Sequence, residues 1–186
     1  MSRLVFLDRD GVINKYPGHF KYVCSQEEFK FLPKAKEAIK RLSESGYKLF
    51  VISNQAGVTK GLYSQEILDN ITRNMTEEID KAGGKIEKVL YCIHTEEQDC
   101  GCRKPKTGLI EQALNSAGDV DIKNSFFIGD SIRDIKTGKA VGCKTILVLS
   151  GREKMENAKE WQVQPDFIAV NLYKASDIII NLNNKK

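Results

Sequence analysis

Short apolar runs alternate with amphipathic helical stripes along most of this chain. Leu4 to Leu7 form a continuous apolar run, the pattern of a strand buried on both faces. Pro33-Lys34-Ala35 opens a helical pattern with Ala35, Ala38, Ile39 and Leu42 on one face, closed by Gly46. Lys48 to Ile52 read as a second strand, stopping at Ser53-Asn54-Gln55. A helix starting near Leu62 or Tyr63 carries Ser64 as its cap and Ile67, Leu68, Ile71 and Met75 as its buried stripe, with Gly83-Gly84 as its stop. Strands follow at Ile86 to Cys92, Ser125 to Ile128, 144–149 and Asp166 to Ala169, with helices at Thr107 to Ala117 and near Ile132 to Ala140. Glu153 to Gln164 read as a polar surface helix or loop.

Such alternation, with right-handed crossovers, predicts an α/β fold: a three-layer α/β/α sandwich around a mostly parallel, Rossmann-like sheet. Its ligand crevice lies beyond the carboxyl ends of the strands. The unusual polar clusters fall at those ends: 8–11, 53–55, 92–106 and 130–134. With 186 residues and neither a repeat nor a linker, residues 1–186 are expected to form one domain.

Charge narrows the partners. The net charge of +4 arises from 29 basic and 25 acidic residues that are mostly interspersed, which argues against a nucleic-acid surface. No run is long enough to span a bilayer, and no basic region leads into a long apolar segment near the start. No membrane partner and a cytoplasmic location are the expectation. Asn183-Asn184-Lys185-Lys186 read as a frayed tail.

Asp8 and Asp10 close the first strand, and Asp130 and Asp134 follow the strand at 125–128. If both strands share one parallel sheet, several acids meet at one edge, a cost that a cation or shared protons offset. Oxygens from Asp8, Asp130 and a nearby carbonyl, completed by water, suit Mg²⁺. Gly11 permits the tight turn that brings main-chain groups to a ligand. Ser53 and Asn54 offer donors for phosphate oxygens, and Arg103 and Lys104 supply positive charge, with Lys106 facing solvent. Strand-end aspartates also cap turns, and a basic run is also a solvated surface.

Five cysteines make an odd number, and three of them lie between Cys92 and Cys102. Cys92, His94, Cys100 and Cys102 in one loop suit a tetrahedral Zn²⁺ whose filled shell makes it structural; the same four could also be unrelated side chains. Cys24 and Cys143 read as small half-buried hydrophobes.

Four segments together resemble the haloacid-dehalogenase (HAD)-like phosphohydrolase superfamily: Asp8-Arg9-Asp10-Gly11, Ser53-Asn54, Lys104-Pro105-Lys106-Thr107-Gly108 and Gly129-Asp130-Ser131-Ile132-Arg133-Asp134. The resemblance implies that Asp8 is a nucleophile forming an aspartyl-phosphate and that Asp10 is the general acid and base. It implies Mg²⁺ on Asp8, the Asp10 carbonyl and Asp130, and a phosphoryl group held by Ser53, Asn54 and Lys104. Asp134 would orient Lys104 or a metal-bound water.

The Cys–His loop ending Cys102-Arg103-Lys104-Pro105 narrows the resemblance to the branch of heptose-1,7-bisphosphate and histidinol-phosphate phosphatases. Ser131 departs from it, since many heptose-branch members carry lysine there. The implied activity is removal of the 7-phosphate from D-glycero-D-manno-heptose 1,7-bisphosphate, with histidinol phosphate as the alternative substrate and an inert metal- and phosphate-binding scaffold as the non-enzymatic one. The partner is then a small phosphorylated sugar or amino alcohol, and a monomer suffices. The intervals from Asp10 to Ser53 and from Ser53 to Lys104 leave no room for a separate cap domain. The loop 14–31, the segment after Asn54 and the zinc loop would shape the crevice, with Arg103 on a second phosphate and Lys15, His19, Lys21, Tyr22 and Lys60 as candidates for its rim.

Overall fold

The structure, a computed structural model, describes residues 1–183. Six parallel strands form one sheet in the order β3-β2-β1-β4-β5-β6. They are β1 (Arg3–Leu7), β2 (Tyr47–Asn54), β3 (Lys88–Cys92), β4 (Phe126–Gly129), β5 (Lys144–Val148) and β6 (Phe167–Ala169). The helices are α1 (Ala35–Glu44), α2 (Gln65–Lys81), α3 (Gly108–Ala117), α4 (Ile132–Val141) and α5 (Leu172–Asn183). Strand order reverses at β1, which puts the end of β1 at the topological switch point where α/β folds bind ligands.

Period-two alternation assigns the core. Val5 and Leu7 join Leu49, Val51, Phe126 and Ile128 in a cluster covered by α1, α2 and α5. Leu4 and Phe6 point the other way, to Phe50, Ile52, Phe127 and the apolar stripe of α3. Both faces are therefore dry, which explains why the strands read as unbroken apolar runs. Ser64 caps α2, its hydroxyl accepting from the Ile67 N–H at 3.2 Å. No helix among the described residues is long and apolar enough to cross a membrane.

Several boundaries differ from the sequence reading. The helix expected from Leu62 or Tyr63 begins at Gln65, after its cap, and the strand expected from Ile86 begins at Lys88. The polar stretch 153–164 contains a short 3₁₀ turn at Met155–Glu160, anchored by Trp161, whose indole donates to Glu153 at 3.0 Å. The largest omission is α5. Asn183, read as tail, ends that helix and accepts hydrogen bonds from Arg3 at 2.7 Å and the Tyr47 hydroxyl at 3.0 Å. Residues 184–186 of the expected tail lie outside the described residues. Cys143 is buried in the core and Cys24 partly so.

Candidate active site and cysteine–histidine loop

β1 and β4 are neighbours in register, Leu7 opposite Ile128, and the Asp8 N–H donates to the Ile128 carbonyl at 3.0 Å. That pairing delivers Asp8 and Asp130 to the same edge across about 120 positions of sequence. Oxygens of Asp8, Asp130 and Asp134 lie within 4.8 Å of one another. Lys104, only 3% exposed, reaches in with its ammonium 3.0 Å from Asp8 and 2.6 Å from Asp134.

Two glycines make this approach possible. A side chain at Gly11, whose φ is +80°, would place its first carbon 2.1 Å from the Asp130 carboxylate, and one at Gly151 would come within 2.0 Å. Asp130 is further fixed by the Arg152 N–H at 2.8 Å. Asp134 accepts from the Ser131 N–H at 3.1 Å and hydroxyl at 2.7 Å, a capping box that starts α4 and aims its other oxygen at Lys104.

Crowded acids raise one another. Burial, only partly offset by Lys104 and reinforced by Asp134, lifts Asp8 from 3.8 to about 6. Burial followed by the charges of Asp8 and Asp134 holds Asp130 well above the ordinary carboxylate range. Burial works against the Lys104 ammonium, but Asp134 and Asp8 outweigh it and keep the group firmly charged. A convergent set of hard oxygens whose charges repel is the donor set that a divalent cation such as Mg²⁺ satisfies.

Asp10 sits apart from that cluster. Its carboxylate accepts from Arg9 at 3.0–3.2 Å, from Asn14 at 2.8 Å and from Gln55 at 2.8 Å. The Arg9 guanidinium is fully buried, and neighbouring Asp10 helps keep it charged against the cost of that burial. Asn54 holds Lys104 through its backbone, accepting from the Lys104 N–H and donating to its carbonyl, both at 3.1 Å.

These groups floor a crevice of about 480 Å³. The loop 14–31 contributes Tyr16, His19, Phe20, Lys21 and Tyr22, and the segment after Asn54 contributes Lys60. Arg103, Arg133 and Arg152 add three guanidiniums to the walls. Lys15, a candidate for the rim, does not line it.

The second cluster forms a compact set. Sulfur and nitrogen atoms of Cys92, His94, Cys100 and Cys102 lie within 4.8 Å of one another, with five of the six pairs 3.2–3.6 Å apart. A disulfide needs sulfurs about 2.05 Å apart, so none of these thiols is paired. A tetrahedron with metal–sulfur bonds of about 2.3 Å has edges of roughly 3.8 Å, close to what the four atoms already make. The residues fit Zn²⁺.

The family model described as HAD-hydrolase-like matches residues 101–175. The D-glycero-beta-D-manno-heptose-1,7-bisphosphate 7-phosphatase of Pseudomonas aeruginosa is 38% identical over 153 residues, 82% of this chain and 84% of that protein. This chain belongs to the HAD-like phosphatase family. The D-glycero-alpha-D-manno-heptose-1,7-bisphosphate 7-phosphatase of Campylobacter jejuni is 36% identical over 177 residues, 95% of this chain and 99% of that protein. A crystal structure of D,D-heptose 1,7-bisphosphate phosphatase from B. bronchiseptica, complexed with magnesium and phosphate, superposes with a TM-score of 0.89 at 28% identity, covering 97% of this chain and 99% of that one.

Sequence reasoning about this phosphatase passed over several groups. Arg133 and Arg152 carried no assigned role, although Arg133 stands inside a quoted motif. Gln55 figured only as the end of the second strand and Asn14 as the start of the loop 14–31, and only their positions beside Asp10 in the fold disclose a polar seat. Arg9 was visible as a charge between two aspartates, a spacing that foreshadows pairing but not full burial.

Proposed function

We propose that this phosphatase removes the 7-phosphate of D-glycero-D-manno-heptose 1,7-bisphosphate through an aspartyl-phosphate on Asp8. The observation that carries the chemistry is the Asp8–Lys104–Asp134 contact beside Asp130, with Asp10 seated separately. Asp8 attacks phosphorus, and Lys104, held charged by Asp134, neutralises charge gathering on the phosphoryl oxygens. Asp10 gives a proton to the departing sugar oxygen and later takes one from the water that hydrolyses the intermediate. Ser53, 2% exposed, and Asn54 both line the crevice and hold the phosphoryl group there.

Asp8, Asp130 and the Asp10 main-chain carbonyl would hold Mg²⁺, because the Asp10 side chain is committed to Arg9, Asn14 and Gln55 while Asp134 serves Lys104 and Ser131. When bound, the ion offsets the repulsion of the clustered acids and polarises the phosphoryl oxygens. Structural Zn²⁺ on Cys92, His94, Cys100 and Cys102 would fix the loop that presents Arg103 and Lys104. Thiolates kept for a metal fit a reducing compartment, which supports a cytoplasmic location.

Two features support a sugar bisphosphate. Relatives named for that substrate are 33–38% identical to this chain, and the crevice carries three arginines besides Lys104, enough for a second phosphate. Those guanidiniums, which a second phosphate would pair and an amine would not, favour a bisphosphate over histidinol phosphate. Measuring kcat/KM on both heptose 1,7-bisphosphate anomers and on histidinol phosphate tests the reading. A heptose preference supports it; equal or better use of histidinol phosphate overturns it.

A further inference from the structure

Gln55 stands between the two aspartates. Its Nε2 donates to Asp10 Oδ2 at 2.8 Å and to the Ser53 hydroxyl at 3.2 Å. The Ser53 hydroxyl in turn bonds Asp8. The Tyr63 hydroxyl donates to Gln55 Oε1 at 2.7 Å, and the Asp10 carboxylate at the other end, an acceptor when ionised, identifies that end of the amide as nitrogen. Gln55 is fully buried, and Tyr63 nearly so. A buried amide with both ends satisfied and both roles assigned has one orientation, and here that orientation joins the seats of Asp8 and Asp10.

The two oxygens of Asp10 are not equivalent. Oδ1 accepts from Arg9 Nε at 3.2 Å, Arg9 Nη2 at 3.0 Å and Asn14 at 2.8 Å. Among the described residues Oδ2 accepts from two donors, Arg9 Nη2 at 3.1 Å, which it shares with Oδ1, and Gln55. With three donors on it, Oδ1 has no room for a proton, while Oδ2, whose Arg9 donor is shared with Oδ1, gains room for one by giving up that shared contact and keeping Gln55, and Asp10 lines the crevice.

We propose that Gln55, fixed by Tyr63, is the positioning residue that aims Asp10 Oδ2 at the leaving oxygen while holding Ser53 on Asp8. The proposal rests on the reading of Asp10 as general acid and base. In the first step the Asp8 carboxylate oxygen bonds phosphorus, the bond from phosphorus to the substrate oxygen breaks, and the proton on Oδ2 passes to that oxygen. In the second step Oδ2 takes a proton from water as its oxygen bonds phosphorus and the Asp8–phosphorus link breaks. Gln55 exchanges no proton. It sets the direction in which Oδ2 does.

Leaving-group dependence separates this role from a merely structural one. A 4-nitrophenolate departs without protonation, whereas a phenolate gains more from an acid. The full chain with Mg²⁺ is compared as Asp10→Asn, Gln55→Met and Tyr63→Phe on 4-nitrophenyl phosphate and phenyl phosphate, reading kcat/KM, which reports the first step. Asp10→Asn should widen the gap between the two substrates by about 100-fold, the lower end of the range for general acid catalysis. Gln55→Met should widen it about 10-fold and Tyr63→Phe in the same direction by less, on the scale by which positioning groups act.

A selective Asp10→Asn alongside a Gln55→Met or Tyr63→Phe that slows both substrates equally, or neither, overturns the positioning role alone. If Asp10→Asn itself is unselective, the general-acid reading fails and takes this inference with it. Should Gln55→Met unfold, Tyr63→Phe, which loses one hydroxyl, decides the matter.

Discussion

The Arg103 guanidinium donates to the main-chain carbonyl of His94 at 3.0 Å. His94 is also a vertex of the Cys–His cluster, so the crevice arginine and the soft-metal loop are mechanically one unit. Zinc removal should therefore reach the active site through Arg103 and the adjoining Lys104, although neither is a zinc ligand. We expect stoichiometric zinc in the purified protein, and a drop in kcat/KM of about 10- to 100-fold for Cys100→Ser, the range seen when groups supporting a metal site are removed. Elemental analysis with steady-state kinetics checks this; a zinc-free, folded protein with unchanged kinetics would contradict the coupling.

Asp8→Asn should separate activity from stability. Turnover should fall by about 10⁴-fold or more, as for loss of other nucleophiles. Burial raises Asp8 from 3.8 to about 6, so the folded state holds that proton more tightly than the unfolded state does. The stabilisation this provides is complete below 3.8 and is lost as pH climbs through about 6. At neutral pH the ionised group costs up to ~3 kcal/mol, which asparagine escapes while Lys104 keeps Asp134. Metal-free Asp8→Asn should melt several degrees above the metal-free parent at pH 7, with the difference shrinking toward pH 4. Differential scanning calorimetry measures it, and a lower melting temperature would argue against the buried-charge account.

Mg²⁺ affinity should follow the same protons. A cation binding Asp8 and Asp130 displaces whatever protons burial has kept there, so affinity should weaken below about pH 6, by up to about tenfold per pH unit for each proton released. Calorimetric titrations in buffers of different ionisation enthalpy count those protons. A pH-independent affinity between 5 and 7 would place the ion elsewhere.

Arg103→Ala should hurt a bisphosphate more than a monophosphate. A charge-assisted contact to a second phosphate is worth about 1.5–3 kcal/mol, or roughly 10- to 100-fold in kcat/KM on heptose bisphosphate. Little change is expected on 4-nitrophenyl phosphate. Equal losses on both would assign Arg103 to the transferred phosphate or to loop structure.

The parallel sheet was legible because burying both faces of a strand forces unbroken apolar runs, as at Leu4 to Leu7 and Leu49 to Ile52. The polar clusters at strand ends were legible for a related reason: acids that directly continue a buried apolar strand, as Asp8 and Asp130 do, are costly to bury unless a site uses them. Helix α5 was missed because Asp166 to Ala169 read as a final strand and the tail looked polar. Its signal was present in Asn171, which caps the Lys174 N–H at 3.0 Å, and in the stripe Leu172, Ala175 and Ile179.

Within the site, motif spacing marked individual residues but not their pairings. Asn54 looked like a phosphate donor, yet its side chain is spent on the Lys104 backbone across 50 positions. Which polar side chain meets which depends on how α2, with Tyr63 just before it, lies against β2, and no local pattern encodes that.

The central claim is that Asp8 carries the phosphoryl group between two half-reactions. Rapid mixing of ³²P-labelled heptose bisphosphate with the Mg²⁺-loaded protein, acid quenching and peptide mapping tests it most directly. Label should appear on the peptide containing Asp8 in the parent and be absent from Asp8→Asn. Phosphate release at the parent rate from Asp8→Asn, or turnover with label on a different residue, would contradict the account.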